Sequence, residues 1–242
     1  MKIDYKKTAD FYDKNNYVLI KGFISKELAN FIYDYTLLKS KAVKEMIDSE
    51  YMPDGTLLGS FKDGQVPGAY SAYGDFVMET LLERANEGMK KITGLNLVPT
   101  YSYYRVYEKG NELKRHKDRP SCEVSTTVCL GYDNTGAPKN YNWGMYVEKS
   151  GKTGQKGKEL KMEPGDMIVY RGCLVEHWRD EYKGSKLSQV FMHYNNLDGP
   201  FGEACKFDGR PHLGLPHEFK NPNHASNMSK LDKIMLEKGY VK

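Results

Sequence analysis

Between residues 100 and 197 the chain breaks into short runs rich in Val, Tyr, Thr and Phe, each ended by turn chemistry. The runs are Tyr101–Tyr107, Val124–Tyr132, Trp143–Val147, Met167–Tyr170 and Leu187–Tyr194. Lys109-Gly110, Asn134-Thr135-Gly136, Ser150-Gly151 and Pro164-Gly165-Asp166 punctuate them. β-Branched and aromatic residues suit a pleated, half-buried surface, and runs this short must pair to bury anything. Several short strands with turns between them form a sandwich or a barrel. The Gly- and Lys-rich Ser150–Lys158 reads as a hairpin tip whose charge is solvated.

The flanks read differently. Ser25 is a fitting N-cap for a helix over Lys26–Lys39, where Leu28, Phe31, Ile32, Tyr35 and Leu38 recur at helical spacing. A second helix is expected over about Asp75 to Ile92, with Phe76, Met78, Leu81, Leu82 and Met89 as its apolar set. After Asp198 the chain is rich in Pro, Gly and Asn, and a short amphipathic helix is expected over Ser229–Lys238. The reading is one domain of 242 residues in three parts: a helical N-terminal support over 1–98, a barrel core over 99–197 and an extension over 198–242. The fold class is therefore mainly β with flanking helices, α+β.

Composition excludes several functions. Lys plus Arg is 36 against 32 Asp plus Glu, a net charge of +4 with no basic run, which argues against a nucleic-acid binder. An aromatic fraction of 12% with 19 tyrosines argues against disorder. No apolar window is long enough to span a bilayer, and residues 1–20 mix Lys, Asp and Asn without a secretory apolar stretch. The four cysteines, Cys122, Cys129, Cys173 and Cys205, form no C-x-x-C pair and suit free thiols in a reducing setting. A cytoplasmic location with no membrane partner is the expectation.

The chemistry-bearing residues are histidines. In an extended segment, side chains at i and i+2 share a face, so His116 and Asp118 can offer an imidazole nitrogen and a carboxylate oxygen to one point. His177 follows the run Met167–Tyr170, and a second strand can bring it alongside. Two His and one carboxylate on one side of a metal leave the other side open, as in non-haem Fe(II) oxygenases. Lys186 and Ser188, again two apart, offer a cation and a hydroxyl for the far carboxylate of a dicarboxylate ligand. His193, His212, His217 and His224 read as structural or exposed.

With these pieces in this order, the sequence resembles the Fe(II)/2-oxoglutarate-dependent oxygenases, and within them the prolyl 4-hydroxylase-like group. The resemblance covers about residues 100–200. It rests on Val106-Tyr107-Glu108-Lys109-Gly110, His116-Lys117-Asp118, Val124-Ser125-Thr126-Thr127-Val128, Pro164-Gly165-Asp166-Met167, His177 and Lys186-Leu187-Ser188. It implies a double-stranded β-helix, a jelly-roll barrel buttressed by the N-terminal helices. It implies that His116, Asp118 and His177 ligate Fe(II), and that Lys186, Ser188, Tyr107 and Thr126 contact 2-oxoglutarate. Leu130 stands where many relatives carry a Tyr, so that contact is absent or comes from another residue, such as Tyr103. O₂ is the oxidant, with ascorbate as a stimulant, and succinate and CO₂ accompany hydroxylation of an unactivated C–H bond. The halogenating relatives replace the carboxylate ligand, so Asp118 points to hydroxylation. A peptidyl proline is the substrate the resemblance favours, with a free amino acid or other small molecule next. A non-catalytic metal-binding or structural jelly roll is the reading from another class. Arg119, Tyr103 and Trp178 are the candidate substrate contacts.

Overall fold

The computed structural model describes residues 3–222 and 224–237. Two antiparallel sheets carry the fold. The chain begins with α1 (Tyr5–Asn15), β1 (Tyr17–Ile20), α2 (Lys26–Asp48), β2 (Tyr70–Tyr73) and α3 (Phe76–Thr93). The strands β3 (Leu97–Glu108), β4 (Leu113–His116), β5 (Val124–Asp133), β6 (Met145–Val147) and β7 (Lys158–Leu160) follow. Then come β8 (Met167–Tyr170), β9 (His177–Arg179), β10 (Lys186–Asn196), α4 (Gly202–Cys205) and α5 (His224–Glu237). The large sheet runs β1-β8-β5-β10-β3-β2 and the small one β4-β9-β6-β7. This is the jelly-roll arrangement, mainly β with flanking helices.

The two faces of the large sheet have different partners. On β5 and β10 the residues Val124, Val128, Leu130, Val190, Met192 and Tyr194 pack with Ile32 of α2 and Met78, Leu82 and Met89 of α3. Their neighbours Cys129, Leu187 and Phe191 pack inside the barrel. Both strands are buried on both faces, and polar residues such as Ser125–Thr127 and Ser188–Gln189 sit among their apolar ones.

The helices have clear local causes. Ser25 caps α2 by accepting from Leu28 N at 3.1 Å. Asp75 caps α3 and also accepts from Tyr35 at 2.6 Å and Lys39 at 2.5 Å, tying the two helices together. Helix α2 runs past the expected Lys39 to Asp48, because no Gly or Pro intervenes and Val43 continues its buried side. Its buried face is also not the expected one. Ile32 is buried, whereas Leu28, Phe31 and Leu38 are exposed. The Ser150–Lys158 segment joins β6 to β7. In α5, Leu231 packs on Phe201, Ala204 and Cys205. Lys238, the expected end of that helix, and the side chain of His224 lie outside the described residues.

Two buried carboxylates fasten the C-terminal segment. Arg210 reaches Glu79 of α3 through both terminal nitrogens, at 2.7 and 3.3 Å. Asp208 takes two bonds from Arg119, at 2.7 and 2.8 Å, and one from Tyr73 at 2.8 Å. Phe207 and Asp208 both sit at positive φ, +50° and +56°, so this clamp holds two non-glycine residues in the left-handed region. Burial opposes ionisation of Asp208, but Arg119 more than compensates and its pKa falls to about 2. A depressed carboxyl stabilises the fold above its unfolded value near 4, and the gain is lost as pH falls towards 2. Asp208→Asn should therefore lower stability by about 1–2 kcal/mol at neutral pH. Urea melts of wild type and variant should converge between pH 5 and pH 2.

Candidate active site

The small sheet builds the centre. Strands β4 and β9 pair so that His116 stands opposite His177, with ring centroids 4.2 Å apart. Each ring is fixed by its own strand: Nδ1 of His116 donates to Lys114 O at 2.8 Å, and Nδ1 of His177 to Val175 O at 3.2 Å. A carbonyl can only accept, so both Nε2 atoms present lone pairs inward. They face Asp118 Oδ1 at 3.5 and 3.4 Å. Three acceptors so close need positive charge among them. Ligand atoms about 2.1 Å from one metal ion stand roughly 3.0–3.4 Å apart, so the donor set fits a metal ion. Burial works against ionisation of Asp118, but positive charge on the imidazole side of its carboxylate holds its pKa well below the usual range.

Asp118 is itself positioned. Its amide donates to Gly172 O at 2.9 Å, and its Oδ2 takes the Ser125 hydroxyl at 2.6 Å. That leaves Oδ1 for the metal. Gly172 permits this approach, since a Cβ there would meet Asp118 Oδ2 and Cys122 O at 2.4 Å and Ser125 Oγ at 2.5 Å. His193 completes the relay, with Nδ1 3.0 Å from Ser125 Oγ. The Ser125 proton goes to the carboxylate, so His193 donates through Nδ1. Burial keeps this imidazole neutral, with its pKa near 4.

A cavity of about 410 Å³ opens above the three ligands. Tyr101, Tyr103 and Arg105, alternate residues of β3, form one wall, and Arg119, Phe191 and His193 line it elsewhere. Asp63 crosses from the loop before β2 and clamps Arg105 through Nε at 2.8 Å and Nη2 at 3.0 Å, while Tyr103 donates to it at 2.7 Å. Arg119 lies over the Tyr101 ring at 4.6 Å.

Several expected contacts lie elsewhere. Lys186 is half-exposed and pairs with Glu108 across the edge of β3. The Ser188 hydroxyl bonds Thr36 of α2 at 2.9 Å. Thr126 accepts from Met192 N at 3.2 Å, on the β5 face that meets the helices. All three miss the cavity for one reason: the even-numbered residues of β10 and of this part of β5 face the helices. Leu130 is likewise in the helix-side core. Trp178 points out of the barrel, stacked on Tyr146 at 5.3 Å and under Arg115 at 3.5 Å. Tyr107 is fully buried, edge-on to Trp143 at 4.9 Å, and accepts from Arg105 at 3.0 Å.

Three residues gain weight from the structure: Ser125, His193 and Arg179. Strand alternation from His177 makes Arg179 readable in sequence as inward-facing. The positions of His193 and Ser125 depend on β10 lying against β5, which local spacing does not reveal. Arg179 is fully buried, its Nη1 donates to Trp143 O at 2.7 Å, and its Nε and Nη2 have no partner. A buried guanidinium with an open edge fits a carboxylate ligand.

No protein-family model matches the chain, and no curated protein matches its sequence. Solved structures do match. A Pseudomonas putida prolyl-4-hydroxylase superposes with TM-score 0.53 at 14% identity, over 79% of this chain and 99% of that one. An oxidoreductase of the 2OG-Fe(II) oxygenase family from Burkholderia pseudomallei gives TM-score 0.56 at 15% identity, over 82% and 93%. The chain has the fold of the 2OG-Fe(II) oxygenases. HygX from Streptomyces hygroscopicus, solved with nickel, 2-oxoglutarate and hygromycin B, shares this oxygenase fold at TM-score 0.53 and 12% identity, over 79% and 87%.

On this oxygenase fold the protein should bind one equivalent of Fe(II) or Mn(II). His116→Ala, Asp118→Ala and His177→Ala should each abolish that binding by metal analysis after gel filtration. Gly172→Ala, which pushes on the inner carboxylate oxygen, should weaken metal affinity about 10- to 100-fold while the far-UV spectrum stays unchanged.

Proposed function

We propose that this protein is an Fe(II)- and 2-oxoglutarate-dependent oxygenase that hydroxylates an unactivated C–H bond. The observation that carries the proposal is the convergence of His116 Nε2, His177 Nε2 and Asp118 Oδ1 on one point beneath an open cavity. Two His and one carboxylate on one side of an iron leave coordination positions for a chelating 2-oxo acid and O₂. Bound there, iron and 2-oxoglutarate supply a strong oxidant derived from O₂, with succinate and CO₂ as by-products.

The chain's own residues bind, orient and exclude. Lys114 O and Val175 O keep both ligand imidazoles in the Nδ1–H form. Ser125 holds the proton that fixes Asp118, and His193 steadies Ser125. Asp63, Arg105 and Tyr103 fence one wall of the cavity with a buried ion pair and a phenol. The protein's part is then to place the substrate carbon near the metal and keep competing reactions out.

For the substrate, a peptidyl proline follows from the sequence resemblance and is the first reading. A small molecule is the second, favoured by the size of the cavity, about 410 Å³, which the co-substrate must share. In either case the cavity presents Tyr101, Phe191, His193 and the Asp208-held Arg119 to the substrate.

Anaerobically purified protein given Fe(II), 2-oxoglutarate and then O₂ should form succinate, and His177→Ala should form none. With Pro-rich peptides or amino acids added, mass spectrometry should find a product heavier by one oxygen, with ¹⁸O label from O₂. Equal, negligible succinate from wild type and His177→Ala would contradict the oxygenase reading and favour a non-catalytic jelly roll.

A further inference from the structure

The barrel holds a charge that no described residue neutralises. Arg105, Arg179 and Arg210 are the buried arginines among the described residues. Arg105 turns its Nε–Nη2 edge onto Asp63, with both bonds at 3.0 Å or less. Arg210 is forked onto Glu79. Arg179, 0% exposed, has no carboxylate within ion-pair distance among the described residues, and its single protein bond goes to a backbone carbonyl. The titratable groups that face it are the phenols of Tyr107, Tyr141 and Tyr170 and the thiol of Cys129, none of them a carboxylate. The atoms left without partners are Nε and Nη2. That is the edge Arg105 uses to grip a carboxylate side-on. Leaving a buried guanidinium half-bonded is costly, and arginine does not shed its proton to escape the cost.

Register places this edge relative to the metal. Arg179 follows His177 by two residues on β9, about 6.6 Å along a strand. Leu113 of β4 is its cross-strand partner, as His116 is of His177. On the other side Val147 pairs with His177 and Tyr146 with Trp178, which sets Met145 beside Arg179. Leu113 and Met145 both line the cavity. The cavity therefore extends along β9 from the metal ligands to the side chains that flank Arg179, which lies behind Leu113 and Met145 and is not itself part of the lining. The two-residue spacing, about 6.6 Å along the strand, suits an acid that chelates the metal with its 2-oxo end and carries a second carboxylate three carbons further on.

We infer that Arg179, and not Lys186, receives the far carboxylate of the dicarboxylate co-substrate, through its Nε–Nη2 edge. The anchor then sits on the same strand as the second histidine ligand, and the co-substrate lies along β9 instead of reaching across to β10. This rests on the oxygenase reading above and deepens it. It carries a consequence for stability. Without the co-substrate Arg179 is a buried, unpaired charge, so the fold gives up stability to keep the site, and the dicarboxylate restores it.

The test is calorimetric titration of anaerobic, Mn(II)-loaded protein with 2-oxoglutarate and with pyruvate, which chelates alike but lacks the far carboxylate. Wild type should bind 2-oxoglutarate far more tightly than pyruvate. Arg179→Met should lose about 100-fold or more for 2-oxoglutarate and less than about threefold for pyruvate. Lys186→Ala should match wild type for both. In thermal melts without metal or ligand, Arg179→Met should melt no lower than wild type, and 2-oxoglutarate with Mn(II) should raise the midpoint of wild type beyond what pyruvate achieves, but not that of the variant. If Arg179→Met does not fold, Arg179→Lys keeps the charge without the fork and should still lose more than about tenfold for 2-oxoglutarate alone. Retained 2-oxoglutarate affinity in the folded Arg179 variant, or its loss in Lys186→Ala, overturns the assignment. Wild type that binds neither acid overturns the oxygenase reading itself.

Discussion

His116 and His177 meet because β4 and β9 pair antiparallel, with an irregularity between Leu113 and His116 that sets the two histidines opposite each other. That single ladder contact governs the rest of the centre. The strands involved are only four and three residues long, too short to hold register by their own hydrogen bonds. Side chains on the outer face supply the grip. Trp178 lies between the two inward residues of β9, stacked on Tyr146 of the next strand and capped by Arg115 of the strand before. Arg115 in turn reaches Glu176 at 3.0 Å. A slip of one residue would turn both His177 and Arg179 outward and bring Trp178 into the barrel.

The interior combines that register with a strict pairing of charge. Asp63 with Arg105 and Glu79 with Arg210 are closed pairs that fasten the loop before β2 and the C-terminal segment to the barrel. Around the cavity, the partly buried Asp118 and the fully buried Arg179 lack a side-chain counter-charge in full among the described residues. One is acidic, beside two imidazole lone pairs, and the other is basic, two residues beyond the second histidine. A divalent cation and a dicarboxylate would complete them together. The fold thus keeps two unmet electrostatic demands in one cavity, and stability lost there is the cost of a binding site.

Much of this was legible in sequence where local spacing decides the outcome. The i, i+2 rule paired His116 with Asp118, Ser25 and Asp75 marked helix starts, and the turn residues bounded β3, β5, β6 and β8. What local spacing does not report is which face of a doubly buried strand points inward. Leu187, Val190 and Met192 are all apolar, so the alternation that would set Lys186 and Ser188 inside or outside is hidden. The irregular pairing of β5 with β10 between Ser188 and Gln189 obscures it further. Thr126 and Thr127 pose the same ambiguity, one facing helices and the other the barrel. Alternation from His177 turns Arg179 inward, a signal that the family spacing of Lys186 masks. Helix α2 shows the related failure on a helix, where periodic apolar residues marked the exposed side while Ala29, Ile32, Thr36 and Val43 made the contact.

The most direct measurement is a crystal structure of the anaerobic protein with Fe(II) and 2-oxoglutarate. The account predicts one iron bound by His116 Nε2, Asp118 Oδ1 and His177 Nε2, chelated by the 2-oxo acid, with the far carboxylate side-on to Arg179. Iron bound away from these three atoms, or a far carboxylate seated on Lys186, would contradict it.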